Sequence, residues 1–162
     1  MKNTISARVA DFLKNYPPFN EIPLNDLEVL SEQVSILYKS KEDVVFTENE
    51  KAHEYFYVVH KGAVALTNKE KADFLDLCDE GDIFGLRPLM ANEDYKIGAK
   101  AYEECILYAI PIIEFKPFIK KNEEVANFLM ESFASNTRNP YSIRNKGQFF
   151  QDSKEINPFR SH

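Results

Sequence analysis

Between Glu80 and Ala101 the chain reads EGDIFGLRPLMANEDYKIGAKA, and the residue types in that stretch are those that hold an anion. A Gly81-Asp82 turn leads into Ile83-Phe84, and Gly85 then precedes a short Leu/Pro/Met segment, enough for one helical turn. A tight glycine turn feeding a helix start leaves backbone N–H groups without intrahelical partners, and these attract negative charge. Arg87, Lys96 and Lys100 lie in the same stretch, and cations there favour a phosphate. The same arrangement also serves as a plain strand-to-strand corner, so the flanking chain has to decide between the two.

The other residues that carry chemistry are quickly placed. Cys78 and Cys105 each sit inside an apolar, strand-like run, the setting of reduced core thiols. His53 lies in a polar turn, His60 at a strand end and His162 at the terminus, without the spacing of a metal site. A metal-dependent enzyme on a β-barrel would need His and carboxylate ligands converging from neighbouring strands, and a hydrolase a Ser/His/Asp or Cys/His set. Neither pattern is visible, so the chain is expected to be neither an enzyme nor a metalloprotein.

The net charge is −6 and no Lys/Arg stripe forms, which argues against nucleic acid as a direct partner. No apolar run approaches the roughly 20 residues of a membrane span. The start, MKNTISARVADFL, lacks the continuous apolar stretch of a signal peptide, so a cytoplasmic location is expected. With 162 residues the chain can build one well-cored domain with some length left over.

The elements that must position the anion-binding stretch follow from periodicity. Ile5, Val9, Phe12 and Leu13 recur at helical spacing ahead of Pro17-Pro18. A second helix is expected from about Leu24, with Asn25 and Glu28 as a capping box and Leu27, Leu30 and Val34 as its stripe. From Ser35 the period changes to two, with Ile36 and Tyr38 alternating against polar neighbours. Short β-rich runs then follow at Asp43–Thr47, Tyr55–His60, Ala63–Thr67, Phe74–Cys78, Asp82–Phe84, Lys96–Ala101 and Cys105–Pro111, each bounded by a turn signal. That spacing predicts a sandwich or barrel. Lys96 and Lys100 share one face of their expected strand. Beyond Pro111 the pattern is helical again: a short helix over Ile113–Ile119 interrupted by Pro117, then an amphipathic one from near Asn122 with Glu123 and Glu124 in its first turn. Phe128, Leu129 and Phe133 on the latter either pack on the roll or form a self-pairing seam. From Asn136 the chain turns polar, with Pro140, Gly147 and Pro158 as breakers.

At this point a resemblance can be stated. The run YFYVVHKGAVALTNKEKADFLDLCDEGDIFGL resembles the centre of a cyclic-nucleotide-binding domain, the β-roll of catabolite-activator-type regulators and kinase regulatory subunits. The matching features are the strand pair around Lys61-Gly62, the hairpin to Phe74–Cys78, and Glu80–Gly85 entering a phosphate-binding cassette; the likeness runs from about Pro18 to Phe133. It implies a mainly β fold with flanking helices, a double-stranded β-helix or jelly-roll β-roll with N-terminal helices and a C-terminal helix. Residues 1–136 would form the domain, with the roll at about 35–111 and C-terminal helices at about 112–136, and 137–162 would be a linker-like tail. The segments FGLRPLMANEDYKIGAKAYEECILYAIP and FLMESFASNTRNPYS are similar to bacterial signalling proteins in which such a domain precedes CBS and nucleotidyltransferase-like domains. Those would be its attached partners.

The resemblance implies a regulatory domain that binds a nucleotide-like ligand, cAMP or cGMP in the family, and no other cofactor. Its site would comprise Phe84, Gly85, Leu86, Arg87, Pro88, Leu89, Lys96, Ile97 and Gly98, signalling through the C-terminal helix. In the family the residue after Phe-Gly is a Glu that accepts a ribose hydroxyl, and an Arg about ten residues later pairs with the phosphate. Here those positions are Leu86 and, as best match, Lys96, with Ile97 and Gly98 following. Leucine accepts no hydrogen bond, and lysine offers a point charge in place of a two-pronged fork. Each lost contact is worth roughly 1–3 kcal/mol, so two would weaken binding by about 30-fold to more than 10⁴-fold. Arg87 is then either a substitute partner for phosphate or a surface arginine. The competing reading is a degenerate member serving as a dimerisation or docking scaffold, with the C-terminal helix as the homodimer contact.

Overall fold

In the computed structural model, which describes residues 4–70, 74–135 and 142–143, two antiparallel sheets face one another and helices cover the outer side of one. The chain runs α1 (Thr4–Leu13), a 3-10 turn (Phe19–Glu21), α2 (Leu24–Ser31), β1 (Ser35–Lys39), β2 (Val44–Phe46), β3 (Tyr55–Lys61), β4 (Val64–Thr67), β5 (Asp76–Cys78) and β6 (Ile83–Phe84). It continues with α3 (Arg87–Ala91), β7 (Gly98–Ala101), β8 (Cys105–Pro111), α4 (Ile112–Lys121), α5 (Glu123–Ser135) and β9 (Ser142–Ile143). The sheet orders are β1-β8-β3-β6-β9 and β2-β7-β4-β5. The expected mainly β roll with flanking helices is the observed fold.

The period of two explains why β3 reads as an almost unbroken apolar run. Phe56 and Val58 enter the core shared with the helices, while Tyr57 and Val59 enter the core between the sheets. β8 divides in the same way, Tyr108 and Ile110 facing the helices and Leu107 and Ala109 the opposite sheet. A strand buried on both faces has no polar side to show. The helical core adds Val9, Ala10 and Leu13 of α1, Leu27 and Leu30 of α2, Phe115 of α4, and Val125 and Leu129 of α5. Phe128 and Phe133 are partly buried against it, so the stripe weighed above as a self-pairing seam packs on the roll. Ile5, expected on the inner face of α1, is exposed.

Lys61-Gly62 does not join a hairpin. β3 and β4 lie in different sheets, and Gly62, at φ +86°, turns the chain from one to the other. A Cβ there would come within 2.3 Å of the Glu104 carbonyl oxygen, so only glycine fits. The β4–β5 hairpin forms as expected, Val64 pairing with Cys78. Both cysteines are buried and neither is in a disulfide, and burial pushes the Cys105 thiol pKa up.

Helix ends depart from the sequence pattern. The cap expected at Asn25 is absent, because α2 begins one residue earlier: Pro23 is extended and its carbonyl takes the Leu27 N–H at 2.9 Å. Asn25 is thereby already inside the helix. Pro117 does not interrupt α4; its missing N–H removes one helical bond, and the helix stays continuous to Lys121. Asn122 then does two jobs. Its side-chain oxygen accepts the Val125 N–H at 3.2 Å, capping α5, and its amide donates to the Glu21 carbonyl at 2.9 Å.

The sheet also reaches into the segment expected to be a linker-like tail. Ser142 pairs with Phe84 and Ile143 with Ile83, and both residues are buried. The remainder of 137–162 lies outside the described residues.

One titration is built into this core. His60 stacks on Tyr108 at 4.7 Å and meets the edge of Phe12 at 4.6 Å, and its Nδ1 is hidden without a hydrogen-bond partner. Burial, helped by Lys61 and opposed by Glu80, holds its pKa below the ordinary 6.5. The unfolded chain therefore binds this proton more readily, so the stability is fully present above about pH 6.5 and is lost as pH falls through the lower folded value. His60→Gln is expected to flatten the fall of Tm between about pH 7 and pH 5, read from thermal melts across that window.

Candidate functional site

β6 delivers the chain to the site. Phe84 stacks on Tyr57, ring centroids 5.2 Å apart, and Gly85 follows at φ +79°. A side chain on Gly85 would press on the Tyr57 and Phe46 rings, at 3.3 and 3.4 Å. The turn separates the next two residues. Leu86 goes into the helical core, 2% exposed, and Arg87 opens α3 on the other side. α3 ends at Asn92, in the left-handed region at φ 57°, and the Glu93 N–H returns to the Pro88 carbonyl at 3.0 Å. Tyr95 is then pinned to the β2–β3 loop: its N–H donates to the Glu50 carbonyl at 3.0 Å, and its carbonyl accepts the Asn49 N–H at 2.8 Å.

These segments enclose a cavity of about 210 Å³. Of the nine residues expected at the site, Gly85, Arg87, Pro88, Lys96 and Ile97 line it. The other four lie elsewhere. Phe84 belongs to the core between the sheets, Leu86 and Leu89 to the helical core, and Gly98 to β7 beside Thr67. Phe46, Glu93 and Tyr95 line the cavity as well, and none was expected. An aromatic inside the polar run Asn92-Glu93-Asp94-Tyr95 was the available signal for the last two.

The three cations of the cassette separate. Lys100 points away and pairs with Glu42 at 2.9 Å, holding that carboxyl below its usual range. Lys96 lies ahead of β7, outside the strand expected to carry it, and reaches Glu93 only at 3.7 Å while 60% exposed. Arg87 is half-buried, and its Nη1 is fully hidden with no hydrogen-bond partner. Its guanidinium carbon sits 5.5 Å from the ring centroid of Phe133 on α5, a cation–π contact. Arg87 thus touches the cavity and the C-terminal helix at once.

Behind the cavity wall lies a polar network. Tyr95 stacks on Phe46 with centroids 3.7 Å apart, and its hydroxyl accepts the His53 backbone N–H at 2.9 Å. The His53 ring stands between Tyr57 and Glu50, at 2.6 and 3.1 Å. Burial pushes the Tyr95 phenol up to about 12 and the Tyr57 phenol higher still, so both keep their protons. The Tyr57 hydroxyl shares a hydrogen bond with His53 Nδ1, and Nε2 faces the Glu50 carboxyl on the other side of the ring. The Thr47 N–H and this histidine hold the Glu50 carboxyl below its ordinary pKa. The network fixes two of the rings that shape the cavity.

Among the described residues no group of His, Cys, Asp and Glu is arranged for a metal ion, and no helix is long and apolar enough to cross a membrane.

A helix-covered β-roll whose glycine corner and following short helix wall a small cavity is the architecture of the cyclic-nucleotide-binding type of β-roll. The chain belongs to the cyclic nucleotide-binding domain family, whose model matches residues 37–122. No curated protein sequence is significantly similar to it. The sensor domain of the transcriptional regulator DNR from Pseudomonas aeruginosa is similar with a TM-score of 0.70 at 19% identity, over 80% of this chain and 89% of that one. The regulatory subunit of a cAMP-independent protein kinase A from Trypanosoma brucei gives 0.70 at 15%, over 82% and 47%. The regulatory domain of Toxoplasma gondii protein kinase A, crystallised with cAMP, gives 0.67 at 16%, over 78% and 49%. The chain spans about half the length of the two kinase subunits. At these identities the likeness concerns the fold.

Proposed function

We propose that this domain is a sensor whose cavity takes a nucleotide or other small phosphate-bearing ligand and reports it through α5. The observation that carries this reading is Arg87, which lines the cavity and whose hidden Nη1 has no hydrogen-bond partner. A buried donor without an acceptor costs free energy, and an anionic oxygen that turned the guanidinium into the cavity would relieve that cost with a charge-assisted bond. Cyclic phosphates, cAMP and cGMP, fit this donor, and Phe46, Tyr95, Pro88 and Ile97 supply apolar wall for the remainder of the ligand. Because Arg87 also lies over Phe133, a ligand that draws the guanidinium inward changes what holds the end of α5. A ligand can bias that helix only by such differential contact.

The burial of Leu86 favours a second reading. With no acceptor following Gly85, the roll would be a scaffold that binds no nucleotide and pairs or docks. Family membership does not choose, since the fold occurs in a regulatory subunit named cAMP-independent and in one crystallised with cAMP. In either case we take the unit to extend to Ile143, with the following residues joining it to further domains. The likeness of its cassette and α5 segments to proteins carrying CBS and nucleotidyltransferase-like domains supports partners of that type.

Thermal melts with cAMP, cGMP, AMP and ATP test the choice. A ligand at a hundredfold excess over its Kd adds about 2.7 kcal/mol, a Tm rise of roughly 5–10 °C for a domain of this size. We expect such a rise with a cyclic nucleotide. Unchanged Tm with all four at about 1 mM, where even a weak ligand registers, would leave the scaffold reading standing.

A further inference from the structure

Resting on the sensor reading, we infer that Glu93 sets the class of ligand: the cavity selects a monoanion that also offers a neutral hydrogen-bond donor, and disfavours dianions. Three charged side chains line it, Arg87, Lys96 and Glu93, leaving a single positive charge in excess. The guanidinium of Arg87, one nitrogen of which has no hydrogen-bond partner, is the donor end. Glu93 is the acceptor end, with its backbone fixed by the bond to the Pro88 carbonyl and by the left-handed turn at Asn92. Its carboxylate is held loosely. At 3.7 Å the contact with Lys96 is too long for a good N–H···O bond, so acceptor lone pairs remain open to a ligand's O–H or N–H. Phe46 and Tyr95, stacked on one another, add apolar surface to the same lining.

A ligand carrying a second negative charge meets this carboxylate with only Lys96 to offset it, and Lys96 is 60% exposed and screened by solvent. A ligand with one negative charge and a hydroxyl or amino group satisfies both ends. Glu93 thereby acts as a specificity residue that works by repulsion as well as attraction.

The test compares the natural chain with Glu93→Gln, a change of charge at nearly constant shape on a side chain 43% exposed, which the fold tolerates. Calorimetric titrations at pH 7.5 use cAMP, a monoanion, and AMP, largely a dianion at that pH. The natural chain is expected to prefer cAMP, and Glu93→Gln to narrow the cAMP-to-AMP affinity ratio by about 10-fold, mainly by tightening AMP. An unchanged ratio in Glu93→Gln, with Arg87→Ala weakening both nucleotides, overturns the role of Glu93 and leaves the sensor reading intact. A parallel gain for both nucleotides overturns it too, since relief of charge repulsion must favour the dianion over the monoanion. If neither nucleotide binds the natural chain, the sensor reading falls and this inference with it.

Discussion

Arg87→Ala is expected to weaken nucleotide binding by about 10- to 100-fold, the value of one charge-assisted hydrogen bond to an anion inside a partly enclosed cavity. The prediction is large because nothing else in the cavity replaces that donor. Lys96 is mostly exposed and faces Glu93, and Lys100 on β7 is committed to Glu42. Arg87→Lys should recover only part of the loss, since an ammonium restores the charge without the planar fork. The same substitution has a second readout that needs no ligand. Removing the guanidinium from the face of Phe133 should cost the free protein about 0.5–1 kcal/mol, a small drop in Tm. Calorimetry reports the first effect and thermal melting the second. Binding undiminished in Arg87→Ala would place the ligand outside this cavity.

Phe115→Ala should be the most damaging single truncation, costing about 3–5 kcal/mol of the 5–15 that a domain of this kind has in total. Phe115 is fully buried, its ring 5.8 Å from Phe19 in the 3-10 turn and 5.1 Å from Phe56 in β3. It is the contact through which α4 grips both the N-terminal segment and the central strand. An alanine there leaves a void that three different elements cannot all close. Phe115→Leu should cost roughly 1–1.5 kcal/mol, because most of the volume remains. Midpoints and slopes of urea unfolding curves measure both, and a loss below about 1 kcal/mol for the alanine variant would show that this aromatic cluster does not anchor α4.

The roll was legible because its strands alternate and its corners are glycines. β3 and β8 announce themselves through unbroken apolar runs, and Gly85 marks the turn into α3. What could not be read is what depends on contacts distant in sequence. Tyr95 belongs to the cavity only because it hydrogen-bonds to Asn49 and Glu50, some forty-five positions earlier. Lys61-Gly62 reads equally well as a hairpin or as a corner between sheets, since both require a positive φ. Leu86, Phe84, Leu89 and Gly98 sit in the cassette by sequence, yet side chains alternate across the turn and four of the nine expected residues face other neighbours. Ser142-Ile143 is too short to show any period, and its pairing depends on the backbone edge that β6 offers.

That last strand gives the domain a mechanical polarity. Because β9 runs antiparallel to β6, the chain arrives beside Phe84 and departs beside Ile83. A pull applied beyond Ile143 would therefore load the pair like a peeled strip of tape, separating Ile143 from Ile83 first and Ser142 from Phe84 second. Two residues resist peeling weakly, one after the other. Force arriving from that direction reaches Phe84, the residue before Gly85, last.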